Sequence, residues 1–131
     1  MIADTSETRN NGKILLAEDD DSMRRFLEVV LRRENYEIFS AKDGLEALEI
    51  ALANEIDAVV TDAVMPNMTG FDLCRILRQT PEKQHIPLII LSGLNQDDAA
   101  NEDNYPADFY LTKGNNLKED LTKTLEGIFR Q

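Results

Sequence analysis

Three short apolar runs, Ile14-Leu15-Leu16-Ala17, Ala58-Val59-Val60 and Leu88-Ile89-Ile90-Leu91, do most to restrict how this chain can fold. Their continuity suits strands covered on both faces, as in a parallel sheet, better than the one-sided pattern of a surface element. Helical spacing lies between them. Met23, Phe26, Leu27, Val30 and Leu31 recur at intervals of three and four, on a helix opened by Asp21 or Ser22. Asp43 and Glu46 form a capping-box pattern, with Leu45, Leu48 and Leu52 on one face of the helix that follows. Thr69 and Asp72 repeat the pattern ahead of Phe71, Leu73, Ile76 and Leu77, and Leu117, Leu121, Leu125 and Ile128 mark a last helix. Weaker strands are expected over 36–40 and 108–111, and a short, weakly packed helix over 96–104, where Ala99 and Ala100 are the apolar residues. Strand and helix in alternation predict an α/β fold, a doubly wound parallel sheet with right-handed crossovers and helices on both faces. In such a sheet chemistry collects at the carboxyl ends of the strands.

A chain of 131 residues is one domain by size. Residues 1–12 carry almost nothing to bury and read as a flexible leader, leaving 13–131 as the domain. Only Arg130 and Gln131 follow Phe129, so no output domain is expected within this chain. The 25 acidic against 14 basic residues give a net charge of −11, which argues against binding nucleic acid or an anionic membrane, since both need lysine and arginine. Cys74 is the single cysteine and His85 the single histidine, so neither a disulfide nor a zinc site is expected, and a reducing cytoplasmic setting follows. Cys74 lies among apolar helical positions and reads as core; His85 lies in a polar, proline-flanked loop. No segment is long and apolar enough to span a bilayer, and the start lacks the apolar stretch of a signal peptide.

The strand ends carry the chemistry. The first run is followed by Glu18-Asp19-Asp20-Asp21, the second leads into Thr61-Asp62, the third into Ser92-Gly93, and the last candidate strand into Thr112-Lys113-Gly114. Asp20 and Asp21 suit helix capping. Glu18, Asp19 and Asp62 can together hold a hard divalent cation such as Mg²⁺ through oxygen ligands. The Ser92 hydroxyl and the Lys113 ammonium would complete a site for a phosphoryl group.

This combination resembles the receiver domain of two-component response regulators. The likeness covers about residues 13–129 and rests on Glu18-Asp19 after an apolar strand, Asp62 followed by Met65-Pro66 and Thr69-Gly70, Ser92-Gly93, and Tyr110-Leu111-Thr112-Lys113. It implies a CheY-like, flavodoxin-like five-stranded sheet of order 2-1-3-4-5. It further implies that Asp62 accepts a phosphoryl group from a histidine kinase or histidine phosphotransfer protein. Glu18, Asp19, Asp62 and the Val64 backbone carbonyl would hold Mg²⁺, Lys113 and Ser92 would contact the phosphoryl group, and Ser92 and Tyr110 would switch a surface read by a downstream protein. Such a domain catalyses only its own phosphorylation and dephosphorylation, and is otherwise not an enzyme.

Several positions depart from the common pattern. Gly114 stands where most receivers have a proline after the lysine, and Asp97, Asp98, Glu102 and Asp103 make residues 96–104 unusually acidic, which argues against a two-fold contact there. Val64 and Leu94, each two residues beyond a site residue, are apolar where a polar side chain would orient water, so a long-lived aspartyl phosphate is expected. Two other classes compete. A metal-dependent phosphohydrolase would place a second acid where Val64 stands, and a degenerate receiver-like interaction module would never carry phosphate.

Overall fold

The three apolar runs lie side by side in the middle of one sheet. The computed structural model describes residues 10–93 and 106–130. It contains β1 (Lys13–Ala17), β2 (Glu37–Ala41), β3 (Ala58–Asp62), β4 (Leu88–Ser92) and β5 (Phe109–Thr112), all parallel, in the order β2-β1-β3-β4-β5. Four helices are described, α1 (Asp21–Arg33), α2 (Gly44–Ala53), α3 (Gly70–Arg78) and α4 (Leu117–Phe129). The helix expected over 96–104, Leu94 and residues 1–9 of the expected leader lie outside the described residues. Asn10 and Asn11, counted with that leader, hydrogen bond to Glu37 and to the Glu34 carbonyl at the α1–β2 turn.

Every residue of β3 and β4 is buried, so the expectation of strands covered on both faces holds. Their alternating side chains feed two cores. Leu15, Val59, Leu88 and Ile90 join Ala47, Ala51, Leu73, Cys74 and Leu77 on one side of the sheet; Ile14, Leu16, Val60, Ile89 and Leu91 join Leu27, Leu31, Leu121 and Leu125 on the other. Burying one such leucine or isoleucine contributes roughly 1.5–3 kcal/mol. The α1–β2 turn is closed by Asn35 at φ 67°, with Tyr36 N–H donating to Leu31 O and Asn35 N–H to Arg32 O. That pattern ends a helix on a left-handed residue and drops Tyr36 beside Leu31 in the second core.

The structure corrects several local expectations. Of the residues read as possible openers of α1, Asp20, which suited capping, is the cap and accepts from Met23 N–H, whereas Asp21 and Ser22 lie inside the helix. The strand readings 36–40 and 108–111 move one residue later, to Glu37–Ala41 and Phe109–Thr112. On α2 the buried face is Gly44, Ala47 and Ala51, whereas Leu45 and Leu52 are exposed. The cause is close approach: a Cβ on Gly44 would stand 2.1 Å from the Met68 carbonyl oxygen, so the inward face of this helix must be small. Phe26 on α1 likewise faces solvent. The Asp43 and Thr69 caps are as expected, with Glu46 N–H donating to Asp43 and Asp72 N–H to Thr69. Among the described residues no helix is long and apolar enough to cross a membrane.

Candidate functional site

Glu18, Asp62, Ser92 and Lys113 converge at the carboxyl ends of β1, β3, β4 and β5. Glu18 continues β1 by donating its N–H to Ala41 O at 3.1 Å, which turns its side chain under the loop that opens α1. There it is buried, and its Oε2 accepts from Asp20 N–H at 3.1 Å. Asp20 is consumed by the α1 cap and Asp21 by Arg24 at 2.6 Å, so of the four consecutive acids Asp19 alone is left exposed beside Glu18 without either duty. Asp62 is the last residue of β3 and is buried.

Lys113 joins the acids. Its Nζ lies 2.9 Å from Glu18 Oε1 and 3.0 Å from Asp62 Oδ1, while its backbone N–H donates to Ser92 O at 2.7 Å. The lysine therefore reaches both acids with Gly114, not proline, after it. Burial pushes the Glu18 carboxyl up, and the charge of Asp62 adds to that; the pairing with Lys113 and the Asp20 N–H oppose it without reversing it. For Lys113 burial works against the charged form, but its hydrogen bonds and charge pairing with Glu18 and Asp62 outweigh it and hold the ammonium above its usual range. The lysine stays charged.

One carboxylate oxygen each from Glu18, Asp19 and Asp62 lie within 4.8 Å of one another. Three carboxylates against one ammonium leave two negative charges in excess when all are ionised. Hard, oxygen-only donors in a net negative pocket fit Mg²⁺, which takes a few carboxylates and completes its shell with water and phosphate oxygens. Ser92 is buried at the end of β4, paired in register with Thr112. The Tyr110 ring packs against the first core and its hydroxyl accepts from Ala107 N–H at 2.8 Å. Val64 is 71% exposed on the loop that leaves Asp62. His85 is exposed in a turn and Cys74 is buried, both away from these residues, as expected.

Sequence reasoning missed Arg24, whose Nη1 donates to the Glu18 carbonyl at 2.9 Å while Nη2 pairs with Asp21. The spacing of Asp21 and Arg24 signals an i,i+3 pair, but nothing in it points to the Glu18 backbone.

Comparison with known proteins agrees with this geometry. The model of the response regulator receiver domain matches residues 14–126. The chain belongs to this family, whose members are signalling modules of two-component systems. It is 36% identical over 121 residues to the response regulator ArlR of Staphylococcus saprophyticus, a match covering 91% of this chain and 53% of that protein. The chain thus spans about half the length of the curated relatives it matches. Among solved structures it is similar to the receiver domain of a Pseudomonas aeruginosa sensor histidine kinase, which has magnesium coordinated in its active site cleft, at a TM-score of 0.83 and 26% identity, covering 92% and 98% of the two chains. The chemotaxis response regulator CheY4 of Vibrio cholerae superposes at 0.79 with 29% identity, covering 89% and 98%.

Proposed function

We propose that Asp62 is the phosphoacceptor of this receiver and takes its phosphoryl group from a phosphohistidine on a histidine kinase or a histidine phosphotransfer protein. The observation that carries this reading is Lys113 Nζ at hydrogen-bond distance from both Glu18 and Asp62, beside three converging carboxylates. Glu18, Asp19 and Asp62, with the Val64 backbone carbonyl, would hold Mg²⁺. When bound, the ion offsets charge on the oxygens of the transferring group.

An Asp62 carboxylate oxygen attacks phosphorus in line, and the phosphorus–nitrogen bond of the donor breaks with its electron pair left on the imidazole. Lys113 then moves its pairing toward the new phosphoryl oxygens, and the Ser92 hydroxyl donates to another. Drawing Ser92 inward opens space that Tyr110 fills, which shifts the population toward a surface that a downstream protein binds. Outside its own phosphorylation and dephosphorylation the domain has no turnover chemistry, because Val64 stands where a second acid would serve as general acid. Placement in the cytoplasm with its donor suits the free, buried Cys74. The reading of a module that never carries phosphate would need a broken acid–lysine constellation, and here the acids and the lysine are in contact.

The test is intact-mass spectrometry after incubation with Mg²⁺ and acetyl phosphate. Wild type gains one phosphoryl group, and Asp62→Asn or added chelator abolishes the gain; an equal gain in Asp62→Asn would remove Asp62 from this role. The exposed, apolar Val64 offers nothing to orient an attacking water, so the adduct is long-lived. Val64→Asn is expected to speed its spontaneous loss several-fold, measured by the decay of the phosphorylated mass; an unchanged or slower decay would discard that account.

A further inference from the structure

The loop that follows Asp62 is seated on the start of α2. Asn67 Nδ2 donates to Asp43 Oδ2 at 3.0 Å, while Asp43 Oδ1 accepts from Glu46 N–H at 2.8 Å as the α2 cap. The capping residue thus serves its own helix with one oxygen and a distant loop with the other. Gly44, next in the chain, lies so close to the Met68 carbonyl that a Cβ would stand 2.1 Å from it. At the far end of the loop Gly70 packs in the same way against the Asp62 carbonyl, also at 2.1 Å from a built Cβ, and Gly70 N–H donates to Ala63 O at 2.9 Å.

Within this clasped loop Asn67 has φ 71°, a left-handed conformation that asparagine tolerates better than most residues. Val64, Pro66 and Asn67 are exposed, and Met65 is buried in the first core. Among the described residues the Asn67–Asp43 bond is the only hydrogen bond that ties Pro66, Asn67 or Met68 to another element. It also joins the ends of β2 and β3, the two strands that flank β1, from which Glu18 and Asp19 emerge.

We propose that Asn67 and Asp43 are positioning residues for the acidic site: their hydrogen bond fixes the β3–α3 loop, and through it the Val64 carbonyl, in the arrangement that binds Mg²⁺. The inference rests on the metal site proposed above. It gives an exposed contact between residues 43 and 67 a part in metal affinity, although neither side chain belongs to the acid cluster.

The experiment is Mg²⁺ titration by calorimetry on the full chain, with melting temperature in chelator measured alongside. Asn67→Gly keeps the left-handed conformation and removes the amide. Asp43→Ser keeps a hydroxyl for the Glu46 N–H and removes the second oxygen. Each variant is expected to weaken Mg²⁺ binding about fivefold, the worth of one hydrogen bond, and the double variant no more than the larger single effect. Arg78→Met, at the opposite end of the sheet, is expected to lower the melting temperature while leaving Mg²⁺ affinity unchanged. An unchanged Mg²⁺ affinity in Asn67→Gly, or single effects that multiply in the double variant, would overturn the proposal. Wild type that binds Mg²⁺ no better than Asp19→Asn would instead overturn the metal site on which it rests.

Discussion

Two ion-paired clusters sit at opposite ends of the sheet and treat their charges differently. At the amino ends of β4 and β5, Arg78 donates to the carbonyls of Gln84 and Ile86 and to Asp108 Oδ2 at 2.6 Å. That same Asp108 oxygen accepts from Leu88 N–H at 2.8 Å, and Asp108 N–H donates back to Leu88 O. Each charge there is tied to backbone, so the cluster is a fastening for the turn before β4. At the carboxyl ends, Lys113 meets two acids, Asp19 stands exposed beside them, and negative charge remains in excess. A fastening closes its electrostatics within the chain; a site leaves a remainder for a ligand.

Lys113→Met tests this contrast most strongly. On the proposed role of Lys113 in phosphoryl transfer, losing its cation is expected to slow phosphorylation by acetyl phosphate about a hundredfold. Removing one positive charge from a net negative pocket should leave Mg²⁺ binding intact or tighter, and the stability lost in chelator should return with Mg²⁺. Time-resolved mass spectrometry and Mg²⁺ titration read the two effects, and a loss of stability with no change in rate would make Lys113 a second fastening.

Arg78→Met should do the reverse, costing about 1 to 2 kcal/mol by chemical denaturation, a modest figure because the pair is partly exposed. Its phosphorylation rate should match wild type; a slowed rate would show that the two ends are coupled.

The smallest effect concerns Cys74, which packs in the first core with Arg78 and Asp108 among the charges that act on it. Burial pushes its thiol up to about 12. The unfolded thiol ionises near pH 9 while the folded one stays protonated, so stability falls as pH rises from there toward 12. At pH 10 the loss is on the order of 1 kcal/mol. Denaturation of wild type and Cys74→Ala at pH 8 and 10 measures it, and an equal fall in both proteins would deny the thiol any share.

The sheet was legible because burial on both faces leaves continuous apolar runs, and the candidate site because its acids and hydroxyl follow such runs while Lys113 follows the weaker edge strand. Lys113 was read as a site residue from its place after Tyr110-Leu111-Thr112, and the structure puts its Nζ within 3.0 Å of Glu18 and Asp62. What escaped were features set by distance across the fold. The leucines of α2 suggested a buried face at 45, 48 and 52; Leu48 does pack against the first core, but the Met68 backbone crowds the helix, Ala47 and Ala51 turn inward, and Leu45 and Leu52 are exposed. A contact between Asn67 and Asp43 has no periodicity to announce it, since both are polar, neither is buried and they stand 24 residues apart. The α1 cap stayed open among residues 20–22 because neighbouring aspartates and a serine offer equivalent caps, and only backbone angles choose Asp20.

The order in which the chain is made bears on the acidic pocket. Glu18 follows β1 and Asp62 ends β3, neighbouring strands that pair directly, whereas their shared cation follows β5, the last described strand. On a ribosome the first three strands can emerge and pair long before residue 113 exists. Glu18 and Asp62 would then face each other before Lys113 is there to pair with them. The last described strand, β5, completes the sheet edge and brings Lys113 between the two acids, so closing the sheet also supplies the charge that eases their repulsion.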